Sequence, residues 1–236
     1  VNNELYAGVT SASINPQTKS LAETRAASLA FMSSGSDLLT DAALTAALDA
    51  ASTPASGAGQ VDGSPKDYRM WAVQSGSSVR LNTGSHVDAK GWNIDLGFAK
   101  QRVSERNTLT YGPFVEYGKG SYDSYLDDGT HGDGSMDYLG AGFMAKSKNA
   151  DGSYVEGSVR AGRVKSDYAG TISGTHVTYD SGSTYYAGHL GVGQERELNG
   201  GNTIETYAKY FFAHQDGDRA TLSNGDVYDF DAADSH

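Results

Sequence analysis

From Asp67 onward the chain alternates between apolar residues and polar or small ones with a period of two. No other feature constrains its fold as much. Trp92, Ile94, Leu96 and Phe98 alternate with Asn93, Asp95, Gly97 and Ala99. Leu109, Tyr111, Pro113, Val115 and Tyr117 stand against Thr110, Gly112, Phe114, Glu116 and Gly118, and Leu139, Ala141, Phe143 and Ala145 against Tyr138, Gly140, Gly142 and Met144. Val155, Val159 and Ala161 lie opposite Glu156, Ser158 and Arg160, while Leu190 and Val192 lie opposite His189 and Gly191. Ile204, Ala208, Tyr210 and Phe212 lie opposite Glu205, Tyr207, Lys209 and Phe211. With Tyr68–Leu81 in front, this predicts seven strands of hairpin type.

One side of these strands carries Asp95, Glu116, Glu156, Arg160, Glu205 and Lys209. A dry core would require a partner for each of these charges, whereas a wet or plugged lumen tolerates them. The opposite side is apolar, as lipid demands. A tilted strand of about 9–11 residues crosses the hydrocarbon, and its backbone is satisfied only within a closed sheet. The connections agree with this. Ser104–Asn107, Asn149–Gly152 and Asn199–Asn202 read as tight turns. Asp123–Asp137, Asp167–Ser183 and Gln215–Ser235 read as long polar loops, with only Asn82–His86 short on that side. Short turns at one end and long loops at the other describe an outer-membrane barrel. The expected fold is therefore all-β with an N-terminal helix, an antiparallel up-and-down transmembrane β-barrel. Trp71, Trp92 and the tyrosines are expected to form its interfacial girdles.

Composition narrows the classes further. No apolar run, Met70–Val73 included, exceeds four residues, far too short for a transmembrane helix. The absence of cysteine excludes disulfide scaffolds and thiolate metal sites. A net charge of −11 argues against a nucleic-acid partner.

The N-terminal part follows other rules. Ser20-Leu-Ala-Glu23 matches a capping box and predicts a helix over Leu21–Ser34 that stops at Gly35, with Ala22, Ala26 and Ala30 on one face. A second alanine-rich helix is predicted from Asp37 to Ala51, ended by Pro54. The expected organisation is a passenger end or linker at 1–15, a lumenal helical segment at 16–51, a linker at 52–66 and an incomplete barrel at 67–236.

Three segments carry a resemblance to a known family. They are Asn15–Glu23 followed by Ser34-Gly-Ser-Asp37; Trp71 with Thr83–Trp92; and Glu205–Tyr210 with His214–Gly217 and Asp229-Phe-Asp231. Together they resemble the C-terminal translocator domain of type V autotransporters. The resemblance implies a twelve-stranded barrel with a helix threaded through its pore, in the outer membrane of a Gram-negative bacterium. Such a barrel serves export of an N-terminal passenger, with outer-membrane lipid and the barrel-assembly machinery as partners and no cofactor. On that scheme Arg25 faces acidic lumen residues such as Glu116 or Glu205. Seven strands and a barely started eighth, ending in Asp234-Ser-His236 without a terminal aromatic, read as a domain lacking about five strands. The alternative is a small eight-stranded barrel acting as an adhesin or envelope anchor through its loops.

Other chemistry has weaker support. Asn2-Asn3 resembles the junction at which one autotransporter subgroup cleaves its passenger, but it lies far upstream of the capping box. Gly140–Ala145 fits a loose dinucleotide fingerprint inside a strand with no helix after it. Asp127, Asp128, His131, Asp133 and Asp137 form an acidic loop without EF-hand spacing. His86 with Asp88, and His214 with Asp216, are the pairs an omptin-type barrel protease would use, and they read as solvated hairpin pairs. No enzymatic activity is expected.

Overall fold

The computed structural model describes residues 15–53, 68–82, 85–198 and 201–236. After a 3-10 turn at Pro16–Thr18 come α1 (Lys19–Leu38), a π-helical turn (Leu39–Ala43) and α2 (Leu44–Ser52). The strands are β1 (Arg69–Asn82), β2 (His86–Val103), β3 (Asn107–Tyr125), β4 (His131–Asn149), β5 (Ser153–Ile172), β6 (Thr175–Glu197) and β7 (Thr203–Gln215), then the short β8 (Asp218–Thr221), β9 (Val227–Phe230) and β10 (Ala233–Ser235). Strands β1 to β7 pair in sequence order, all antiparallel, and β10 joins the end of β7 over Ala213–Gln215. β8 and β9 form a separate hairpin. The eight-stranded sheet is not closed, but α1 touches β1 at one edge and β7 at the other, so the sheet curls around the helix.

The period-two pattern decides which face meets the helix. Asn93, Asp95, Thr110, Glu116, Glu156 and Arg160 are buried on the inner face, while Leu96, Phe98, Val115, Leu139, Phe143, Val159 and Leu190 are exposed on the outer one. Pro113 has no N–H to give, and the β2–β3 ladder is interrupted there between the Gly97–Phe114 and Lys100–Tyr111 pairs. Beside it a side chain on Gly112 would strike the Phe98 carbonyl, so glycine is required.

Several expectations are corrected. The two predicted helices are one rod. Gly35 is not a terminus, because the backbone runs through it into the π-helical turn. Its missing side chain serves packing instead, since a Cβ there would strike the Tyr138 hydroxyl. The capping box does not form. Asn15 caps the preceding turn through its Oδ1, and Ser20 donates to the Gln17 carbonyl. The buried stripe is Leu21, Thr24, Ala27, Ser28, Phe31, Gly35 and Leu38, and Ala22 is exposed.

The long loops are mostly strand. β6 has 23 residues, roughly 75 Å of extended chain, against a hydrocarbon thickness of about 30 Å. β5 and β6 meet at Ser173-Gly174 with φ of 51° and 77°, the backbone of a type I′ hairpin turn. Trp71 is not part of a girdle. It points inward, buried against Phe114, whereas Trp92 points outward. Tyr122, Tyr138, Tyr168, Tyr179 and Tyr185 are likewise buried on the inner face, where each ring packs and each hydroxyl finds a partner. The predicted segments at Val1–Ile14 and most of the 52–66 linker lie outside the described residues, as do Asn2 and Asn3.

Candidate functional site: a helix held inside a polar sheet

The helix enters at the long-hairpin end and leaves at the short-turn end. At entry, Asn15 Nδ2 donates to Ser173 Oγ at 2.8 Å, and the Ser173 N–H donates to Gln17 Oε1 at 2.6 Å. At exit, Lys209 Nζ on β7 donates to the Thr40 carbonyl at 3.1 Å and pairs with Asp41. Between these points the inner face meets the helix in three polar tiers.

The upper tier is built on hydroxyls. Ser20 bonds to Tyr168, while Thr24 bonds to Tyr122 at 2.8 Å and to Tyr179 at 2.7 Å. Glu23 accepts from Ser85 and Ser124, and Lys19 lies at 3.7 Å. Arg25 does not meet Glu116 or Glu205. Its guanidinium donates to Ser183 Oγ and to the carbonyls of Asp216 and Asp231, and it lies 5.4 Å from the Phe230 ring centre. The cause is local: β8 and β9 fold back over the helix and bring two backbone acceptors to Arg25.

Arg160 of β5 is the centre of the middle tier. It forms an ion pair with Glu116, bonds to Ser36, and donates to the Met32 carbonyl at 3.1 Å. The Tyr185 hydroxyl donates to the second Glu116 oxygen at 2.5 Å, and Tyr138 donates to Asn93 at 3.0 Å. Asp95 faces Glu116 across the β2–β3 ladder. It is wholly buried, and neither carboxylate oxygen has a hydrogen-bond partner among the described residues.

The lower tier joins Glu156 to Lys146 at 3.2 Å and to Lys209 at 3.3 Å. Glu205, on the exposed part of β7, accepts from the Tyr154 hydroxyl at 2.6 Å. Ser158 bonds to His189 Nδ1 at 2.6 Å, with Glu156 3.9 Å beyond the other ring nitrogen. This trio resembles a nucleophile, a base and an acid. Yet the adjoining cavity of about 830 Å³ is lined by Glu156 and Lys209, not by Ser158 or His189. The bond is a buried polar contact between β5 and β6.

The structure therefore gathers Glu116, Arg160 and Asp95 into one cluster, and Glu156 and Lys209 into another. It puts Arg25 with the upper hairpin and leaves Glu205 near the β7 edge. Glu23 and Tyr122, which the sequence reading missed, join helix to sheet directly, and Tyr185 and Lys146, also missed, brace Glu116 and Glu156 within the sheet. The only clue to them was parity, since each lies on the inner side of its element. Of the rejected motifs, Asp88 pairs with Arg80 rather than His86, and His214 bonds to Asp234 at 2.7 Å as well as lying 3.3 Å from Asp216. No group of three metal-ligating side chains forms among the described residues.

No protein-family model matches the sequence, and neither does any curated protein. Among solved structures, the chain is similar to the β-domain of the Bordetella autotransporter BrkA, with a TM-score of 0.60 and 21% identity. The likeness covers 71% of this chain and 66% of that one, so the chain spans just under two thirds of that domain. A helix wrapped by a long-stranded antiparallel sheet, polar within and apolar without, is the fold of an autotransporter β-domain.

Proposed function

We propose that this chain is the membrane part of an autotransporter translocator, serving export of an N-terminal passenger across the outer membrane of a Gram-negative bacterium. The helix at 19–52 occupies the pore that the passenger has left. The barrel-assembly machinery inserts the sheet, and lipid covers its outer face. One observation carries this reading: the sheet is inside out relative to a water-soluble protein. Leu139, Val159 and Leu190 are 62%, 67% and 60% exposed, while Asp95, Glu116 and Arg160 are 5% exposed or less. A surface of that kind belongs in hydrocarbon. The buried helix favours a translocator over a small adhesin barrel, which has no need of a plug.

The chain lacks cysteine, so single cysteines report without background. With a signal sequence and epitope placed ahead of Val1, Leu139→Cys and Leu190→Cys are expected to resist a water-soluble maleimide in intact outer membranes. Gly129→Cys, at the β3–β4 turn, is expected to label from outside, and the epitope to be cut by added protease. Free labelling at 139 and 190 would refute the membrane reading. An epitope shielded from protease in cells where those two sites are protected would refute export.

A further inference from the structure

The outward residues change character along one row of the sheet. In register across β2 to β6 stand Trp92, Lys119, Asp137, Lys165 and Gly182. Below this row the outer face is apolar, with Tyr117 and Leu139 beside Arg163. Above it, Lys90 lies in register with Ser121. Four cations on β2, β3 and β5, Lys90, Lys119, Arg163 and Lys165, thus face outward at the upper rim of the apolar belt. All four are exposed, and none forms an ion pair among the described residues. Two carboxylates stand at this level, Asp137 and Asp218, the latter accepting from the Gly182 N–H at 2.8 Å, so the band keeps an excess of two cations. The next acids above are Asp180 and, in register with it, Asp167, which is engaged by the Ser135 N–H at 2.7 Å and hydroxyl at 2.9 Å.

In a chain of net charge −11, a positive band at this height calls for an explanation. The opposite rim differs. Lys100 and Arg102 also point outward there, but they lie over the rings of Tyr68 and Tyr111 at 5.7 and 5.6 Å. At the upper rim the aromatics pair with each other instead. Trp92, level with Lys119, and Tyr117, level with Arg163, meet edge to face at 5.4 Å, so the apolar face reaches up to the cations.

We propose that this rim is a docking surface for a phosphorylated lipid of the outer leaflet. Its acyl chains lie on the belt below Trp92 and Leu139, and its headgroup phosphates lie between Lys119, Arg163 and Lys165, with Lys90 flanking. Lipid is the occupant that meets both halves of the surface, because free phosphate has no use for the apolar face. The proposal rests on the membrane reading above.

The test is native mass spectrometry of the full chain in detergent, titrated with a diphosphorylated glucosamine glycolipid and with its dephosphorylated form. The diphosphorylated lipid is expected to be retained. Removing its phosphates, or substituting K90Q, K119Q, R163Q and K165Q together, is expected to weaken retention on the order of 100-fold at low salt. D137N is expected to tighten it, a gain that misfolding does not produce. K100Q with R102Q is expected to leave it unchanged, as is inorganic phosphate added as a competitor. Equal retention of both lipids overturns the proposal, as does equal loss in the lower-rim control or displacement by inorganic phosphate. If Leu139→Cys and Leu190→Cys are still protected, the membrane reading survives that result; if they label, both fall.

Discussion

Replacing Arg160 with methionine tests whether the middle tier is what holds the helix in the sheet. Methionine keeps an unbranched apolar stem, two atoms shorter than arginine, and removes every hydrogen bond. Arg160 is 5% exposed and Glu116 1%, so the substitution leaves a carboxylate buried without its cation. Breaking a buried pair from one side costs about 3–5 kcal/mol. The Met32 carbonyl and Ser36 also lose a donor, and both belong to the helix, so part of the loss falls on its attachment. The assay is equilibrium urea unfolding of the detergent-refolded chain, followed by tryptophan fluorescence, with limited proteolysis of residues 19–52 as the local readout. R160M is expected to lose about 3–5 kcal/mol and to expose the helix to protease first. Adding E116Q is expected to restore part of the loss, and adding D95N as well to restore most of it, because each removes a stranded negative charge. A loss below about 1 kcal/mol in R160M would refute the reasoning, since that is the scale of a solvated pair. So would a triple variant no better than R160M, because the cost would then lie in packing.

Other outcomes follow from single contacts. Asp95 has no hydrogen bond to lose, so D95N alone is expected to be neutral or stabilising in the same unfolding assay; a loss above about 1 kcal/mol would point to an unseen partner. Gly35→Ala drives a methyl into the Tyr138 hydroxyl and is expected to cost about 1–3 kcal/mol, partly relieved by Tyr138→Phe. In the β4–β5 turn, the Ser153 hydroxyl and N–H hold the Asp151 carboxyl below the usual carboxylate range. Its contribution to the turn is therefore complete above about pH 4 and fades as pH falls through the lower folded value. A carboxyl-carbon NMR titration is expected to show that depression in the native chain and a smaller one in Ser153→Ala.

The strands were legible because one simple rule runs through them. Leu139, Phe143 and Val159 must face out, and the residues between them must not. Above the belt the rule lapses, and this is why Asp167–Ser183 read as a loop. The strand continues there through Tyr168, Val177 and Tyr179, which pack on Leu21. The Ser173-Gly174 turn was a visible signal, but the polar residues around it hid the pairing. Gly35 misled for a related reason. A glycine after a helical run reads as a terminus when nothing shows what lies across from it, and here it is Tyr138, far along the chain in β4. Partner choice was the least legible feature. Parity sets Glu116, Arg160 and Lys209 on one side of their strands, but nothing local tells Arg160 from Arg25 as the partner of Glu116. Only the register of β3 against β4 and β5 does that.

Arg25 itself leads to a prediction about the upper end of the pore. The β8–β9 hairpin springs from β7 at Asp216 and returns at Asp231, and Arg25 donates to both carbonyls, at 2.8 and 3.0 Å. One side chain on the helix thus ties together the two roots of the hairpin, while Phe230 and Ala220 pack beside Leu21 and Tyr179. Both bonds come from Nη2 while Nη1 donates to Ser183, and the single nitrogen of an ammonium on a shorter stem does not reproduce this planar set of three acceptors. Arg25→Lys is therefore expected to retain the charge and lose the tie. Amide hydrogen exchange should rise about tenfold or more across 218–230, the effect of losing one charge-assisted bond of roughly 1.5–3 kcal/mol. Exchange within β3 to β6 should not change. The other attachments of the hairpin, Ser223 to Thr178 and the Gly182 N–H to Asp218, are made to the backbone of β6 and do not involve the helix. Uniform acceleration across the sheet would mean that Arg25 supports the fold as a whole, and an unchanged hairpin would mean that packing around Phe230 suffices. Acceleration confined to the hairpin would identify the helix as what holds the upper end shut.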